Sequence, residues 1–576
     1  MIRKITLLVL LTTFTSSFSQ NLNFINKPDK LIPRGGSASS KDQSNDIMYI
    51  TNGFSTDQPY TSEIEAYNFY EDLWYFFTPL TPTIAKRYGN MEILGNTMYL
   101  FNGLTSSGVN NKLEQLNLET GVLTQNTTLN PNPVFSAGST VWGDYLISFG
   151  GCSSNFNSQY SKKLYKIAPW GEWTALADMP VGLQTKGEVV YDSNFNAKLY
   201  AFGGYSETNA TAENFETIIV GSNIALTDWV NVAEVGTKLY KGRTFTANKY
   251  AEITAFETIA ANQQPTNVSW LISNSLTALS SDQVLLNFET KDGFNNGATL
   301  QAYLITNWTG DITTSTKTLL DSNIASGTAT GYAANFTFSG NIPLTGDLSN
   351  FRIGFKYVGG YAPTPKTTTY QIDNVRVYKA NYSNNIYIYD FANNQWTTSN
   401  TLLPTSLSAY AVAKGELTDT KLYITGDYSN QTFTGVYDTT NDTFTTLTQT
   451  NMIGRRHHTS EIWQDKLFII GGNTTPFISS SLVSTQSADL PTLTAAAFET
   501  NTALQLYPNP VQNSFNLLFD KEISTVSIFN LIGQEVIAKS LNSKEGIIDI
   551  SILATGTYLV KVTSNGEVKT TKIIKE

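Results

Sequence analysis

A short strand that ends in glycine recurs along the chain and constrains the fold more than any other sequence feature. The copies are IMYITNG (Ile47–Gly53), TMYLFNG (Thr97–Gly103), YLISFGG (Tyr145–Gly151), KLYAFGG (Lys198–Gly204), KLYITGD (Lys421–Asp427) and KLFIIGG (Lys466–Gly472). Except between the fourth and fifth copies, successive copies end roughly 50 residues apart, a period typical of four-stranded propeller blades.

Further strand-forming segments flank each copy. Ser136–Trp142 precedes one copy and is joined to it by a Gly-Asp turn, and Ile386–Pro404 carries Tyr-Asp followed by Trp. The paired glycines, the Tyr before Asp and the later Trp resemble the kelch repeat over roughly residues 22–206 and 380–490. The first two copies have Asn-Gly in place of Gly-Gly, and the second and fifth lack the Trp. The resemblance implies an all-β chain with a six-bladed kelch-type propeller.

The start of the mature chain predicts how such a ring closes. An unpaired edge strand invites aggregation, so the first and last blades must be joined. Phe24–Pro33 resembles the Trp-to-Pro outer strand Trp173–Pro180, and the last blade offers only one further candidate strand, Ser479–Gln486. We therefore expect residues 22–33 to supply the outer strand of the sixth blade.

The repeat is interrupted once, because the segment between Gly204 and Asp427 is several times longer than one period. An insert of residues 212–380 accounts for the surplus and divides the propeller into residues 20–211 and 381–490. The insert consists of short alternating segments with turn residues between them, which favours an antiparallel sandwich. Its phrases WLIS, IGFKY and IDNV resemble, in this order, the choice-of-anchor J and cleaved-adhesin modules. That resemblance implies a jelly-roll domain inserted in blade four, with a binding or adhesion role.

Both ends of the chain carry targeting features. Residues 1–19 have the basic start, short apolar stretch and small residues of a secretory signal peptide. After a polar linker at 491–503, residues 504–576 resemble the type IX secretion C-terminal sorting domain, a small seven-stranded Ig-like sandwich. The residues that carry this resemblance are Tyr507, Pro508, Asn509, Pro510, Gly533, Gly556 and Lys572. It implies the type IX machinery as partner and a cell-surface or extracellular location; an ordinary Ig-like tail domain is the alternative.

Composition excludes several partner classes. The net charge is −10 without a Lys/Arg-rich run, so we expect no nucleic-acid partner. We expect no transmembrane segment, because nowhere do about 20 apolar residues follow one another. Cys152 is the single cysteine, which rules out intramolecular disulfides and favours a buried thiol over a nucleophile. We expect a monomer.

Catalytic signatures are missing from the sequence. The two histidines, His457 and His458, are adjacent, whereas the copper oxidases on kelch scaffolds need two separated ones. We therefore expect no copper, and no nucleotide because no phosphate-binding loop is present. Arg455, Arg456 and His457 are candidates to grip an anionic group at the channel mouth; the alternative is that they only line an inner strand. Tyr361, in a Gly- and Pro-rich loop, is a further ligand candidate.

The adhesin-like resemblance also implies a calcium site at Glu213, Glu216 and Asp373, where the insert begins and ends. Solvated edge carboxylates are the alternative interpretation. We expect a surface-attached, non-enzymatic protein that binds glycans or surface proteins through the insert and the adjacent propeller face. A polysaccharide-acting enzyme, a lyase or a glycosidase, is the alternative function.

Overall fold

The computed structural model describes residues 21–42, 45–55, 57–192, 196–416, 419–474, 480–490, 505–529, 535–564 and 567–576. The chain divides into two compact units, Met1–Leu490 and Pro491–Glu576. The described residues are all-β apart from one 3-10 turn at Ala260–Asn262. The predicted signal peptide and the 491–503 linker lie outside them.

Six four-stranded antiparallel arrays make up most of the first unit, and each has a Gly-ended strand as its second strand. Sheet 1 consists of Ala38–Asp42, Ile47–Thr51, Ile64–Asn68 and Leu73–Phe77. Sheet 2 consists of Asn90–Leu94, Thr97–Phe101, Glu114–Asn117 and Leu123–Gln125. Sheet 3 consists of Gly138–Trp142, Tyr145–Phe149, Leu164–Ile167 and Trp173–Ala175. Sheet 4 consists of Gln184–Tyr191, Ala197–Glu213, Thr369–Asp390 and Gln395–Leu402. Sheet 5 consists of Ala411–Lys414, Lys421–Thr425, Thr434–Asp438 and Thr443–Thr446. Sheet 6 consists of Thr459–Trp463, Lys466–Ile470, Thr485–Asp489 and Ile25–Lys27.

The six first strands contact one another in sequence, and the first strand of sheet 6 also contacts that of sheet 1. They therefore form a closed ring. The apolar cores lie between neighbouring sheets, as where Tyr49 and Ile64 of sheet 1 pack with Met91 and Leu100 of sheet 2. Polar residues are left to line the centre of the ring.

The repeated glycine is required by a close approach of backbone. Gly472 has φ +90°, and a Cβ there would lie 2.7 Å from the carbonyl oxygen of Arg456, in the connection that precedes a first strand. Gly53 has φ +109° and faces the carbonyl oxygen of Gly35 at the same distance of 2.7 Å. Only glycine combines this conformation with this contact, which explains why the residue recurs.

The N-terminal segment closes the ring, and the predicted pairing of residues 22–33 with the last sheet is confirmed for Ile25–Lys27 only. Ile25–Lys27 runs antiparallel to Thr485–Asp489 as the outer strand of sheet 6. A preceding strand, Asn21–Asn23, pairs in parallel with Thr448–Thr450, which the sequence did not predict. The first and last sheets are thus joined by backbone hydrogen bonds.

A buried cation recurs in the connections before three of the first strands. In each case the cation pairs with a polar side chain on the third strand of the same sheet. That side chain also accepts from the backbone N–H of the residue two positions before the cation. The three pairs are Arg34–Glu65, Lys86–Glu114 and Arg455–Gln486, with N···O distances of 2.9, 2.7 and 3.1 Å. The backbone donors are those of Ile32, Ile84 and Ile453, at 3.0, 2.8 and 2.8 Å. These pairs anchor the connections, since every charged side chain among them is fully buried.

The insert grows out of sheet 4 without a linker. The second and third strands of that sheet continue past the ring as a two-stranded ribbon, in which Glu207 pairs with Ala380 and Glu213 with Val375. The predicted boundaries, 212 and 380, therefore fall inside continuous strands. Register shifts between Phe202 and Gly204 and between Asn209 and Thr211 mark the passage from ring to insert.

Two antiparallel sheets form the insert around one apolar core. The ribbon is joined by Lys241–Phe245, Asn248–Ile253, Gln283–Gly293, Thr337–Phe338 and Ile342–Leu344. The facing sheet contains Trp229–Val235, Asn267–Ser273, Thr299–Thr306, Thr316–Leu319 and Phe351–Gly359. Aromatic and branched residues from both sheets, including Trp229, Phe288 and Phe355, fill the core.

The second unit is a separate β structure with its own apolar core. Its strands are Gln505–Tyr507, Ser514–Phe529, Glu535–Asp549, Gly556–Ser564 and Glu567–Lys575. The resemblance implied seven strands, whereas the described residues form five. Two long strands account for the difference, because they run through register shifts such as that between Leu518 and Ile523 instead of ending there.

Replacing Glu65 by alanine should destabilise the first unit by about 3–5 kcal/mol, because the change leaves a buried cation without its carboxylate. Glu65 pairs with both Arg34 and Lys30, at 2.9 and 3.5 Å, and all three side chains are fully buried. Urea denaturation of the full chain, followed by tryptophan fluorescence, measures the effect. Glu71→Ala, at an exposed turn of the same sheet, is the control. Equal stability of the two variants would show that the pair does not hold the ring closed.

Candidate functional site

One end of the ring is closed by a collar of residues that immediately precede the first strands. The backbone N–H of Gly36 donates to His457, that of Tyr88 to Gly36, that of Ser136 to Tyr88 and that of His457 to Ala409, at 2.7 to 2.9 Å. All five residues have φ between +49° and +64°, which is costly for the four that are not glycine. This chain of bonds links the connections that precede the first strands of five of the six sheets.

Aromatic rings occupy the collar. The ring centroid of His457 lies 5.3 Å from that of Tyr88 and 6.3 Å from that of Phe54. Burial, followed by the charges of Arg456 and Lys186, lowers the pKa of His457 to about 3. His457 is therefore neutral at physiological pH and adds no positive charge to the collar.

Two arginines bring positive charge to the outer side of the collar. The Arg456 guanidinium lies 4.1 Å above the Tyr428 ring, and that of Arg87 lies 5.1 Å from Tyr60 and 5.8 Å from Tyr88. Both arginines counteract the burial that raises the pKa of Tyr88, so both act on one hydroxyl. Within the described part of the chain, neither side chain forms an ion pair or a hydrogen bond, and both Nε atoms are buried without a partner.

Tyrosines extend from the collar to the base of the insert. Tyr205 and Tyr382 of the ribbon have ring centroids 5.0 Å apart. Tyr160, in a short hairpin between the second and third strands of sheet 3, lies 6.3 Å from Tyr205. Burial and then the effect of Tyr428 raise the pKa of Tyr382 to about 12. We call the combined surface the arginine–tyrosine face. It comprises Tyr60, Arg87, Tyr88, Tyr205, Tyr382, Tyr428 and Arg456.

The ribbon is clamped where it meets this face. Arg376 pairs with Glu207, donates to Asn209 at 2.8 Å and lies 4.1 Å from the ring of Tyr378. The side-chain amide of Asn209 donates to the carbonyl of Phe156, in a connection of sheet 3, at 2.6 Å. The base of the insert is therefore held against the ring, and the tyrosines of the ribbon have defined positions.

Arg455, a predicted ligand contact, is occupied inside sheet 6. Its guanidinium donates to the carbonyls of Ile453, Gly471 and Ser484 at 3.0 to 3.1 Å. It also donates to the Ser484 hydroxyl and to the side chain of Gln486, both at 3.1 Å. All five N–H donors of the guanidinium can be spent on these bonds. Of the two adjacent arginines, only Arg456 is left for a ligand.

Tyr361 and Cys152 also have local partners. The Tyr361 hydroxyl donates to the carbonyl of Glu257 at 2.9 Å and accepts from its N–H at 2.8 Å, which pins a loop of the insert. The structure does not place Tyr361 among the residues of the arginine–tyrosine face. Cys152 is buried, and burial raises the pKa of its thiol to about 12, as expected of an inert thiol.

The proposed calcium ligands are only partly brought together. Asp373 accepts from the side-chain amide of Asn248 at 2.9 Å, and burial, together with Glu289 and Glu216, raises its pKa to about 6. Glu213 accepts a backbone N–H instead. In the described ranges, no group of three or more His, Cys, Asp or Glu side chains is arranged to hold a metal. The calcium site stays a prediction.

A cavity of about 650 Å³ occupies the ring on the other side of the collar. Its inner end is lined by residues that follow the collar directly, among them Gly89 and His458. Its outer end is lined by the turns after the first strands, at Gly95, Gly143 and Gly415. The cavity therefore opens on the face opposite the insert.

Charged side chains of both signs line the cavity. They are Lys41, Asp42, Glu92, Asp144, Lys186, Glu188, Lys414 and Glu461, of which Asp42 and Asp144 lie at the outer end. Burial is the main cause of the raised pKa values of the three glutamates, and that of Glu461 reaches about 7. Burial likewise lowers the pKa of Lys186 to about 8. These four groups thus sit in a partly desolvated environment that is unusual for ionisable residues.

Sequence reasoning missed Arg87 and the glutamates, although the repeat held a signal for them. Arg87 lies as far before Gly103 as Arg456 lies before Gly472, and Glu92 and Glu461 also precede these two glycines at a common separation. Aligning all copies on the glycine would have placed these residues at equivalent points of the ring. Tyr428 lies in a connection and Tyr382 in the ribbon, so neither had such a signal.

Glu461→Gln should gain stability relative to the wild type as the pH rises. The folded-state pKa of Glu461 is about 7, above its unfolded value, so the proton that stabilises the native state is lost between about pH 4.5 and 7. Glutamine cannot ionise, and we expect the difference in unfolding free energy to grow by about 1–2 kcal/mol between pH 5 and pH 8. The exposed Glu119→Gln is the control in urea denaturation. A difference independent of pH would contradict the assigned environment.

The described sorting-signal residues lie at turns and strand ends of the second unit. Tyr507 ends the first strand and is 50% exposed. Gly556 begins the fourth strand, and Lys572 pairs with Leu559 between the last two strands. Gly533 lies outside the described residues.

Known proteins resemble the chain as a whole only weakly, whereas its second unit has a clear match. A solved structure titled "Structure of YjhT" aligns with 80% of this chain and 96% of its own, at a TM-score of 0.40 and 10% identity, a similarity too low to carry an argument. No curated protein matched the chain. Among the described residues, no helix is long and apolar enough to cross a membrane. Residues 505–576 match the family described as the secretion system C-terminal sorting domain, so the chain ends in a type IX sorting domain and is exported to the cell surface or the extracellular space.

Proposed function

We propose that the protein is a non-enzymatic surface protein that captures an acidic glycan on the arginine–tyrosine face. The observation that carries the proposal is Arg456, whose side chain is 2% exposed and has no counter-charge among the described residues. A buried cation without a partner is costly, and a ligand carboxylate or sulfate would offset that cost. Arg87 supplies a second donor at the equivalent point of the sheet 2 repeat.

A glycan fits this surface better than a small inorganic anion. Tyr382 and Tyr428 are 40% and 37% exposed beside the arginines, so their rings are available to stack on sugar faces. The chain has a net charge of −10, which repels polyanions in general. Binding therefore has to come from the local match of guanidinium groups and rings, which favours a saccharide that carries acidic groups.

The scaffold we propose is a six-bladed kelch-type propeller with a jelly-roll insert in its fourth blade. The six four-stranded arrays, their ring of first strands and the N-terminal outer strand support the propeller. The two facing sheets around one core support the sandwich. Because ribbon and ring both contribute tyrosines, insert and propeller would form one composite surface.

A polysaccharide-acting enzyme is the alternative, and the three glutamates of the cavity favour it. Catalysis requires carboxylates that reach the bound chain. Here the collar lies between those carboxylates and Arg456, and neither Arg87 nor Arg456 lines the cavity. We therefore prefer binding to catalysis for a glycan held at the arginine–tyrosine face.

Arg456→Ala should weaken the binding of polygalacturonate by at least about tenfold, or about 1.4 kcal/mol. Arg456→Lys should lose most of the affinity too, because an ammonium lacks the planar fork that matches a carboxylate. Biolayer interferometry on the full chain, with neutral dextran as the reference polymer, measures the effect. Lys166→Ala removes another cation that lies over a tyrosine, 4.5 Å from the Tyr145 ring, and should bind as the wild type does. Equal binding of polygalacturonate by the wild type and Arg456→Ala would overturn the proposal.

Deleting residues 212–380 should abolish this binding if insert and ring act together. The deletion removes Arg376, which clamps the ribbon to Glu207, and so releases the tyrosines of the ribbon. The same interferometry measures the effect, with circular dichroism to verify that the ring remains folded. Undiminished binding by the folded deletion variant would refute the composite surface while leaving the role of Arg456 intact.

A further inference from the structure

The cavity on the far side of the collar holds charged groups that form no ion pair with one another among the described residues. Three ammonium groups and three glutamate carboxyl groups line its inner part, where all six residues are half-buried, and Asp42 and Asp144 lie at its outer end. Yet none of the ion pairs formed by the described residues includes any of the six. Opposite charges that share a confined space normally pair, because pairing offsets part of the desolvation cost.

Each group is held in place by the first strand of a neighbouring sheet or by the residue directly before that strand. The ammonium groups of Lys41, Lys186 and Lys414 donate to backbone carbonyls, at 2.7, 3.0 and 2.6 Å. The carboxyl groups of Glu92, Glu188 and Glu461 accept from the hydroxyls of Ser139, Thr140 and Ser39, at 2.6, 2.7 and 2.8 Å. These tethers come from the protein framework, so they fix the charged groups apart.

Most of the hydrogen-bonding capacity of the six groups remains unused. An ammonium has three N–H donors, and each of these lysines has one bond to a described residue. A carboxylate offers about four acceptor positions, and each glutamate accepts one described hydroxyl. The inner part of the cavity is thus rich in donors and acceptors of both kinds, without an excess of either charge among its six groups, and the two aspartates at the outer end disfavour the entry of an anion.

Such a lining matches a neutral molecule that both donates and accepts many hydrogen bonds. Neighbouring hydroxyls of a sugar can donate to a carboxylate and accept from an ammonium at the same time. A ligand with a net charge gains little, because each attractive group has a repulsive one nearby. The volume of about 650 Å³ lies within the usual range for small-ligand sites, roughly 300–1,000 Å³.

We propose that this cavity is a second binding site, which takes a neutral mono- or disaccharide through its hydroxyl groups. Glu188 and Lys414 are its central contacts, since they lie on adjacent first strands and the charge of Lys414 acts on Glu188. Tyr191 lines the same cavity, and its hydroxyl accepts from the backbone N–H of Gly143 at 3.0 Å. The site opens opposite the insert, so it is independent of the arginine–tyrosine face and does not rest on the function proposed for it.

Isothermal titration of the full chain with glucose, galactose, mannose, maltose and cellobiose tests the proposal. We expect at least one of these neutral sugars to bind, and Glu188→Gln and Lys414→Met each to weaken it by tenfold or more. Glu119→Gln, at an exposed turn outside the cavity, is the matched control and should bind the sugar as the wild type does. Glucuronate and glucosamine are the charged probes and should bind at least tenfold more weakly than the neutral sugar.

A second measurement keeps the test open if the variants do not fold. A saturating neutral sugar should raise the Tm of the wild-type chain, since a ligand that binds only the native state stabilises it. Absence of both heat and a Tm shift for all five sugars would overturn the proposal. Binding that Glu188→Gln and Lys414→Met leave unchanged, or preferential binding of a charged probe, would overturn it as well. Loss of polygalacturonate binding alone would bear only on the arginine–tyrosine face.

Discussion

The fold depends on the joint where the first and last sheets of the ring meet. The segment from Lys30 to Arg34 is bonded to sheet 6 through its backbone, and its two cations are held by Glu65 of sheet 1. One carboxylate therefore links both ends of a ring whose closing strands, Ile25–Lys27 and Thr485–Asp489, come from opposite ends of the first unit. Because the three side chains are fully buried, the joint is stable only while all of them are present.

The same device explains why adjacent arginines have different roles. In sheets 1, 2 and 6 the cation that anchors the connection sits two residues after an isoleucine whose N–H shares its acceptor. Arg455 holds this position in sheet 6, and its guanidinium N–H donors are used in bonds within that sheet. Arg456, one residue further, projects on the other side of the connection and lies over Tyr428. Because Arg455 meets the structural requirement, Arg456 is not needed for it and remains available for the proposed ligand.

The collar divides the ring into two chemically different ends. On the insert side, arginines and tyrosines meet without a carboxylate partner for the arginines among the described residues. On the opposite side, ammonium and carboxyl groups face one another across a cavity and are kept apart by bonds to neighbouring strands. The aromatic rings of Tyr88 and His457 lie between these two environments. The two proposed sites are therefore separate and lie on opposite sides of the collar.

The glycine period by itself determined the number of repeats and the place of the insert, because a backbone contact that only glycine permits recurs at every copy. The N-terminal pairing was predicted instead from the likeness of Phe24–Pro33 to an outer strand. The Tyr-Pro-Asn-Pro and Gly-Thr-Tyr phrases likewise determined the sorting domain. Only the tertiary structure decided which polar residues meet: Arg87 and Arg456 belong to the second and sixth repeats, and the ring has to close before they share a surface. It also decided that Arg455 is structural and that Glu92, Glu188 and Glu461 face one cavity, since the direction of a side chain depends on packing between sheets that no local pattern records.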